Sequence, residues 1–425
     1  MAAEPNPGSE IQATRLPGGL FVISERLRYL KSASLGVAFH LGSRDDPPGQ
    51  EGMTHLIEHM IFKGTEEMDA RAINIASESR GAELNAFTDK EATCFYARFP
   101  GENMADVTGL LTEILRAPAF RNPELEKEKQ VVMEEIYSGE EDPESCMINL
   151  LMQAVYGTAP LGKTVLGTAE SINRINENNL GGFYQGRYGA GCAVAVAVGD
   201  LEHQKVVDMV RVLDAKVGMR PVRESAQFRS PGFLTRTRRE LSQVYVCLAR
   251  PAFAYTDPRR YALAVLNTAL GGGVSSRLFQ RLRETEGLVY SIGSFVELYE
   301  DSGLLGIYFI AEHRKLARCI AVLREEIERL RREGITEEEF KRAVTMIRSG
   351  LVLGSESSIG QMMRLARGYL IAGRVVTLEE ILARYDRLEL AEVTQLVGEL
   401  LGEDSYYAGV VGPVGEKEVG EILGG

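Results

Sequence analysis

One order of elements is legible twice along this chain, and that repetition constrains the fold more than any other feature of its 425 residues. In the first half, LPGGLFVISERL and SASLGVAFHLGSRDD read as two strands joined by a charged turn. EGMTHLIEHMIFKG follows as a short helix, apolar nearly all round and therefore expected to be buried. ARAINIASESRG reads as a helix, AELNAFTDKEATCFYARFP as an alternating strand pair, and NMADVTGLLTEILRAP as an amphipathic helix. Asn122-Pro123-Glu124 is a capping and first-turn sequence for a long helix through ELEKEKQVVMEEIYS. AGCAVAVAVGD then reads as a fully buried strand.

The second half repeats the pattern. LSQVYVCLARPAF is a strand, YALAVLNTAL and VSSRLFQRLRETEG are helices, and YSIGSFVELYEDSGLLGIYFIAE is a hairpin. KLARCIAVLREEIERLRREG and TEEEFKRAVTMIRSGLVL are long helices, and SYYAGVVGP closes this half as AVAVAVGD closes the first. The expected architecture is α+β: two tandem related domains, each a largely antiparallel sheet backed by helices. The join falls where polar, Gly and Pro residues break the periodicity, which gives 1–215, a linker at 216–235, and 236–425.

A net charge of −12 argues against a broad basic surface for nucleic acid. The cysteines Cys94, Cys146, Cys192, Cys247 and Cys319 are odd in number, far apart, and form no C-x-x-C pair. That pattern predicts buried single thiols rather than a disulfide framework or a cysteine-built zinc site. The N-terminal residues lack a secretory or transit pattern and no apolar run reaches the length of a membrane span, so the expected location is cytoplasmic, without a membrane partner.

The chemistry concentrates in HLIEH, residues 55–59. On a helix, His55 and His59 lie four apart on one face, which lets two imidazoles converge on one cation. Glu58 sits beside them, suited to take a proton from an attacking water and pass it to a leaving amine. The chain has only three other histidines, His40, His203 and His313. Three ionisable groups in a helix otherwise built from Met53, Leu56, Ile57, Met60, Ile61 and Phe62 are costly to bury without a charged partner. A catalytic zinc needs a third protein ligand and an open position. In ELEKEKQVVMEEI, Leu125, Glu128, Val132 and Glu135 share one helix face, whereas Glu134 falls with Lys127 and Gln130 on a polar one. Periodicity therefore selects Glu135 or Glu128 and leaves the choice between them open.

HLIEHMIFKGT followed about 75 residues later by EKEKQVVMEEI closely resembles the pitrilysin and insulinase peptidases, whose H-x-x-E-H inverts the commoner zinc-peptidase motif. The resemblance extends to LNAFTDKEATCFYA, PLGKTVLGTAESI and RLRETEGLVYSI, and so spans nearly the whole chain. It implies that His55, His59 and Glu135 are ligands of one Zn2+ per chain, that Glu58 is the general base, and that Glu128 supports a ligand from behind. It implies that Asn85 and Ala86, on an edge strand, align an extended peptide, and that Arg283 and Tyr290 stabilise oxyanion charge. It further implies an endopeptidase acting on short or unfolded polypeptides, each chain forming half of a clamshell chamber closed by a second copy. One departure is visible: relatives often carry His before P-L-G, where this chain has Ala159.

Two other readings stand beside this one. GTAPLGKT, residues 157–164, matches the phosphate-loop pattern but needs a strand before it and a sustained helix after it, and MINLLMQAVY in front has helical spacing. The second is a zinc-bearing subunit of a heterodimer, inactive without its partner; the presence of both the zinc motif and the Arg/Tyr pair favours a homodimer.

Overall fold

The computed structural model describes residues 9–402 and 405–424. Its strands, in chain order, are β1 (Ser9–Arg15), β2 (Phe21–Leu27), β3 (Ser32–Phe39), β4 (Glu83–Thr88), β5 (Thr93–Pro100), β6 (Ala193–Gly199), β7 (Phe233–Thr237), β8 (Gln243–Ala252), β9 (Val289–Leu298), β10 (Gly303–Glu312) and β11 (Tyr407–Gly412). The helices are α1 (Met53–Ile61), α2 (Ala70–Glu78), α3 (Met104–Arg116), α4 (Asn122–Glu141), α5 (Pro143–Tyr156), α6 (Ala169–Arg174), α7 (Glu177–Arg187) and α8 (His203–Val210). They continue with α9 (Arg260–Gly271), α10 (Leu316–Glu333), α11 (Glu337–Gly354), α12 (Ser358–Ala372), α13 (Leu378–Asp386), α14 (Leu390–Leu401) and α15 (Glu416–Gly424).

The chain forms two compact α+β units, each gathered from three stretches. One comprises Met1–Ile136, Thr164–Glu224 and Val352–Ile381; the other comprises Tyr137–Lys163, Ser225–Leu351 and Leu382–Gly425. The first sheet runs β1-β2-β6-β3-β5-β4 and the second β7-β11-β8-β10-β9. In the first, only β2 and β6 are parallel; in the second, only β7 and β11 are. Setting β2-β6-β3-β5-β4 beside β7-β11-β8-β10-β9 gives one topology twice, as the repeated element order predicts. The edge strand β1 is outside that expectation: Ser9–Arg15 holds only Ile11 and Ala13 as apolar residues, too few for alternation to stand out. Likewise, β7 begins at Phe233, inside the stretch expected to be linker.

Each sheet is covered on both faces, and this explains the non-contiguous units. Along β6, Ala193, Ala195 and Ala197 join the core that contains α1, α3, α4, α7 and α8, while Val194, Val196 and Val198 pack with Met362, Leu365, Ala366 and Leu370 of α12. Every residue of β6 is buried, which is why it reads as a continuous apolar run. In the second unit, Met147, Leu151 and Val155 of α5 cover Cys247 and Ala249 of β8 and Val411 of β11. Contact is close enough to require glycine on the strand: a Cβ at Gly409 would lie 2.3 Å from the Met147 carbonyl oxygen, and one at Gly36 2.5 Å from Met362 Sδ.

All five cysteines are buried free thiols, as their spacing predicts. No helix among the described residues is long and apolar enough to cross a membrane.

Candidate metal centre

The nine-residue helix α1 is held by its own apolar side chains. Met53, Leu56, Ile57, Met60 and Ile61 are all buried, which fixes the rotation of the helix and turns His55 and His59 to the remaining face. Their rings stand 4.7 Å apart, centroid to centroid. The helix begins at Gly52, whose φ of 92° favours glycine and which has no side chain to cap the first turn. That role falls to Asp46, whose carboxylate accepts from the backbone N–H groups of Gly52 (2.7 Å) and Thr54 (2.9 Å).

Helix α4 supplies the carboxylates. Leu125, Glu128, Val132 and Ile136 are buried, and Glu134 is exposed, so the stripe legible in the sequence is the inward face. Glu135 and Glu128 approach the histidines from different sides. Glu135 Oε2 lies 3.8 Å from His55 Nε2 and 3.6 Å from His59 Nε2. Glu128 Oε2 instead lies 3.2 Å from His59 Nδ1, and its other oxygen is 2.7 Å from Lys63 Nζ. Geometry thus separates the two carboxylates that periodicity leaves equivalent.

His55, His59 and Glu135 each offer a ligand atom within 4.8 Å of the others. Tetrahedral ligands about 2.1 Å from zinc stand about 3.4 Å from one another, so separations of 3.6 and 3.8 Å fit such an ion with slight contraction. Two nitrogen donors and one carboxylate oxygen also suit zinc chemically, and three protein ligands leave one position open.

His55 Nδ1 and Glu58 Oε2 are among the buried polar atoms of α1 that have no hydrogen-bond partner. Burial, with His59 adding to it, pushes the His55 imidazole down to about 4, which favours the neutral form a metal ligand requires. Burial raises the Glu58 carboxyl above its ordinary value; Thr88 on β4 and the adjacent His59 oppose this, while Glu135 adds to it. A carboxyl with a raised affinity for protons, beside the neutral imidazole of His55, is equipped to accept one.

Asn85 and Ala86 lie on β4, the free edge of the first sheet. The Ala86 N–H donates to the Asn85 side-chain oxygen (2.8 Å). Arg283 and Tyr290 belong to the second unit. Arg283 stands in a π-helical turn, Phe279–Thr285, with its guanidinium 4.9 Å from the Phe279 ring centroid. Tyr290, near the start of the edge strand β9, is 71% exposed. GTAPLGKT follows the helix α5 and leads through a three-residue 3-10 turn into the six-residue α6, so it lacks the strand and the long helix of a phosphate loop.

Two residues of the site escape sequence reasoning. Lys63, four positions beyond His59, is the one cation in an apolar run, and that spacing is a usable signal. Asp46, six residues before the cap it replaces, leaves none.

Comparison with known proteins identifies the family. Residues 21–169 match the family model described as Insulinase (Peptidase family M16), and residues 174–347 match the one described as Peptidase M16 inactive domain. An uncharacterized zinc protease of Streptomyces coelicolor is 34% identical over 421 residues, covering 97% of this chain and 92% of the relative. One from Mycobacterium tuberculosis is 35% identical over 421 residues, covering 98% and 96%. Among solved structures, a peptidase M16 inactive domain from Pseudomonas fluorescens superposes with a TM-score of 0.86 at 23% identity, covering 96% of this chain and 98% of that one. A protease from Helicobacter pylori does so with a TM-score of 0.86 at 20% identity, covering 95% and 99%. With both halves matched and relatives aligned end to end, this chain belongs to the insulinase family of zinc peptidases, M16.

Proposed function

We propose that this protein is a zinc-dependent endopeptidase that hydrolyses short or unfolded polypeptides inside an enclosed chamber formed by two copies of the chain in the cytoplasm. The observation that carries the reading is the convergence of His55, His59 and Glu135 within 4.8 Å, with the half-buried side chain of Glu58 beside them. His55, His59 and Glu135 hold one zinc ion per chain. When bound, the ion supplies a Lewis acid for the scissile carbonyl and lowers the pKa of the attacking water. Glu58 takes the proton from that water and delivers it to the leaving amine. Glu128 accepts from His59 Nδ1–H and so fixes the tautomer that turns Nε2 toward Glu135. Asn85 and Ala86 pair with the backbone of an extended substrate by strand addition, because β4 is the edge strand of the first sheet. Arg283 and Tyr290, contributed by the partner copy, hold the developing oxyanion. Pairing by strand addition requires an extended substrate, so tightly folded proteins are poor ones. The sequence division into 1–215, a linker at 216–235 and 236–425 marks the duplicated halves.

The test measures metal content and cleavage of a mixed pool of unstructured peptides for wild type beside Glu58→Gln. Wild type is expected to hold about one zinc per chain and to cut, whereas Glu58→Gln keeps the metal and loses cleavage by a factor on the order of 10² or more. Absence of bound metal in wild type refutes the reading. A wild type that holds zinc but cuts nothing favours the heterodimer.

A further inference from the structure

Asp45 and Asp46 are adjacent in sequence and hold two different parts of the first unit. Asp46 caps α1 from a distance through the N–H groups of Gly52 and Thr54. Gly52 cannot be given a capping side chain of its own: a Cβ there would lie 2.5 Å from the Leu166 carbonyl oxygen, in a residue at φ 92°. The loop is confined further, because a Cβ at Gly167 would lie 2.0 Å from the Glu51 carbonyl oxygen, and Ser171 Oγ donates to that same oxygen (2.7 Å). The loop between Asp46 and α1 therefore has little slack, and a shift of Asp46 is passed to the turn that precedes His55 by one residue.

Asp45 faces the other way. Its carboxylate accepts a bidentate pair from Arg223, Nε to Oδ1 at 2.9 Å and the terminal nitrogen to Oδ2 at 2.7 Å. Arg223 also donates to the Glu91 carbonyl oxygen (3.0 Å) and reaches His40 Nε2 (3.0 Å), which Arg220 reaches as well at 3.0 Å. Both side chains of the ion pair are nearly buried, 7% exposed for Arg223 and 4% for Asp45. The irregular segment around Arg220–Arg223, which leads out of the first unit at Glu224, is thus strapped to the residue next to the cap of α1. A planar bidentate pair inside protein holds direction as well as distance.

We propose that Asp46 is a positioning residue for the metal centre, fixing the first turn of the helix that carries His55, Glu58 and His59, and that Asp45 couples that point to the connector through Arg223. This rests on the reading of α1 as the metal-binding helix. Neither aspartate touches the ligands; each acts through backbone placement.

The experiment uses the full chain and three variants: Asp46→Asn, Arg223→Gln and the double variant. In Asp46→Asn the side-chain amide offers one acceptor oxygen and meets the second N–H with a donor, so the first turn loses half its cap while volume is kept. Zinc affinity is read by chelator competition, kcat and KM by peptide cleavage, and amide exchange across residues 53–59 in metal-free protein, alongside thermal stability. Asp46→Asn is expected to weaken zinc binding about 10-fold, to lower kcat with KM unchanged, and to speed exchange in the first turn. Arg223→Gln is expected to act in the same direction more weakly, with the double variant falling short of the product of the two, because both act on one point. If Asp46→Asn does not fold, Asp46→Ser, which keeps one acceptor, takes its place.

Zinc affinity and kcat within twofold of wild type, with only the thermal midpoint lowered, reduce Asp46 to a structural cap and overturn the proposal. Strictly multiplicative effects, or an Arg223→Gln variant like wild type, overturn the coupling to the connector. A wild type that binds no zinc sinks the metal reading itself and the proposal with it.

Discussion

Replacing Glu128 tests whether the carboxylate behind a ligand governs the metal centre. The side chain is 8% exposed and uses both oxygens, one on His59 Nδ1 at 3.2 Å and one on Lys63 Nζ at 2.7 Å. Glu128→Ala removes a charge-assisted hydrogen bond worth roughly 1.5–3 kcal/mol and frees the His59 ring to rotate. It also strands the Lys63 ammonium, 32% exposed, near the proposed zinc site. Partners of this kind typically contribute 10–100-fold in metal affinity, or about 1.4–2.7 kcal/mol, which agrees with the hydrogen-bond figure. Glu128→Gln keeps an acceptor for the imidazole but loses the charge, and is expected near the lower end. Chelator competition on purified protein gives the affinity, and peptide cleavage at saturating zinc gives kcat separately. Adding Lys63→Met to Glu128→Ala is expected to restore part of the loss, since it removes the stranded cation. A Glu128→Ala variant that holds zinc within twofold of wild type, or a Lys63→Met change that restores nothing, refutes this role for Glu128.

Other expectations concern stability. Burial, then Arg223 and Arg220, holds the His40 imidazole down to about 3, so between pH 3 and 6.5 the unfolded chain binds a proton that the folded one does not. Stability from this residue is therefore lost as pH falls through that window, by up to about 1.4 kcal/mol per unit; parallel acid-unfolding curves for wild type and His40→Gln would count against it. Lys216 Nζ is buried without a hydrogen-bond partner, 3.5 Å from the Tyr184 ring centroid, and burial brings its amine down to about 7. Lys216→Met is expected to stabilise by about 1 kcal/mol. The gain should be larger at pH 6 than at pH 9, since the folded lysine must still hold its proton at the lower value; calorimetry at the two values checks the sign. Gly409→Ala forces β11 and α5 apart against a backbone carbonyl and is expected to cost about 1–3 kcal/mol, read as a lowered denaturant midpoint. An unchanged midpoint would mean that α5 shifts freely.

Much of this protein was legible in the residues themselves. The i, i+4 histidines lie on α1, the long helix starts at Asn122, Leu125, Glu128 and Val132 face inward, and β6 is buried throughout. Each follows from local periodicity, because a helix or strand turns its side chains by a fixed angle per residue whatever surrounds it. The repeated topology was legible for the same reason, two copies of one order leaving two similar traces.

What periodicity does not record is which distant element covers a face. Helix α5 serves the second sheet and α12 the first, so the compact units cross the division that composition suggests. Periodicity also left Glu128 and Glu135 equivalent, because both lie on one stripe. Tertiary placement of α4 against α1 separated them, setting Glu135 before both Nε2 atoms and Glu128 behind His59 with Lys63. Asp46 is the clearest case, since a helix without a capping side chain borrows one from a loop that only the folded chain brings near. Local sequence sets which groups are present and which way each element turns them. Their partners were decided by packing, because Coulomb and hydrogen-bond energies depend on distances in space that spacing along the chain does not set.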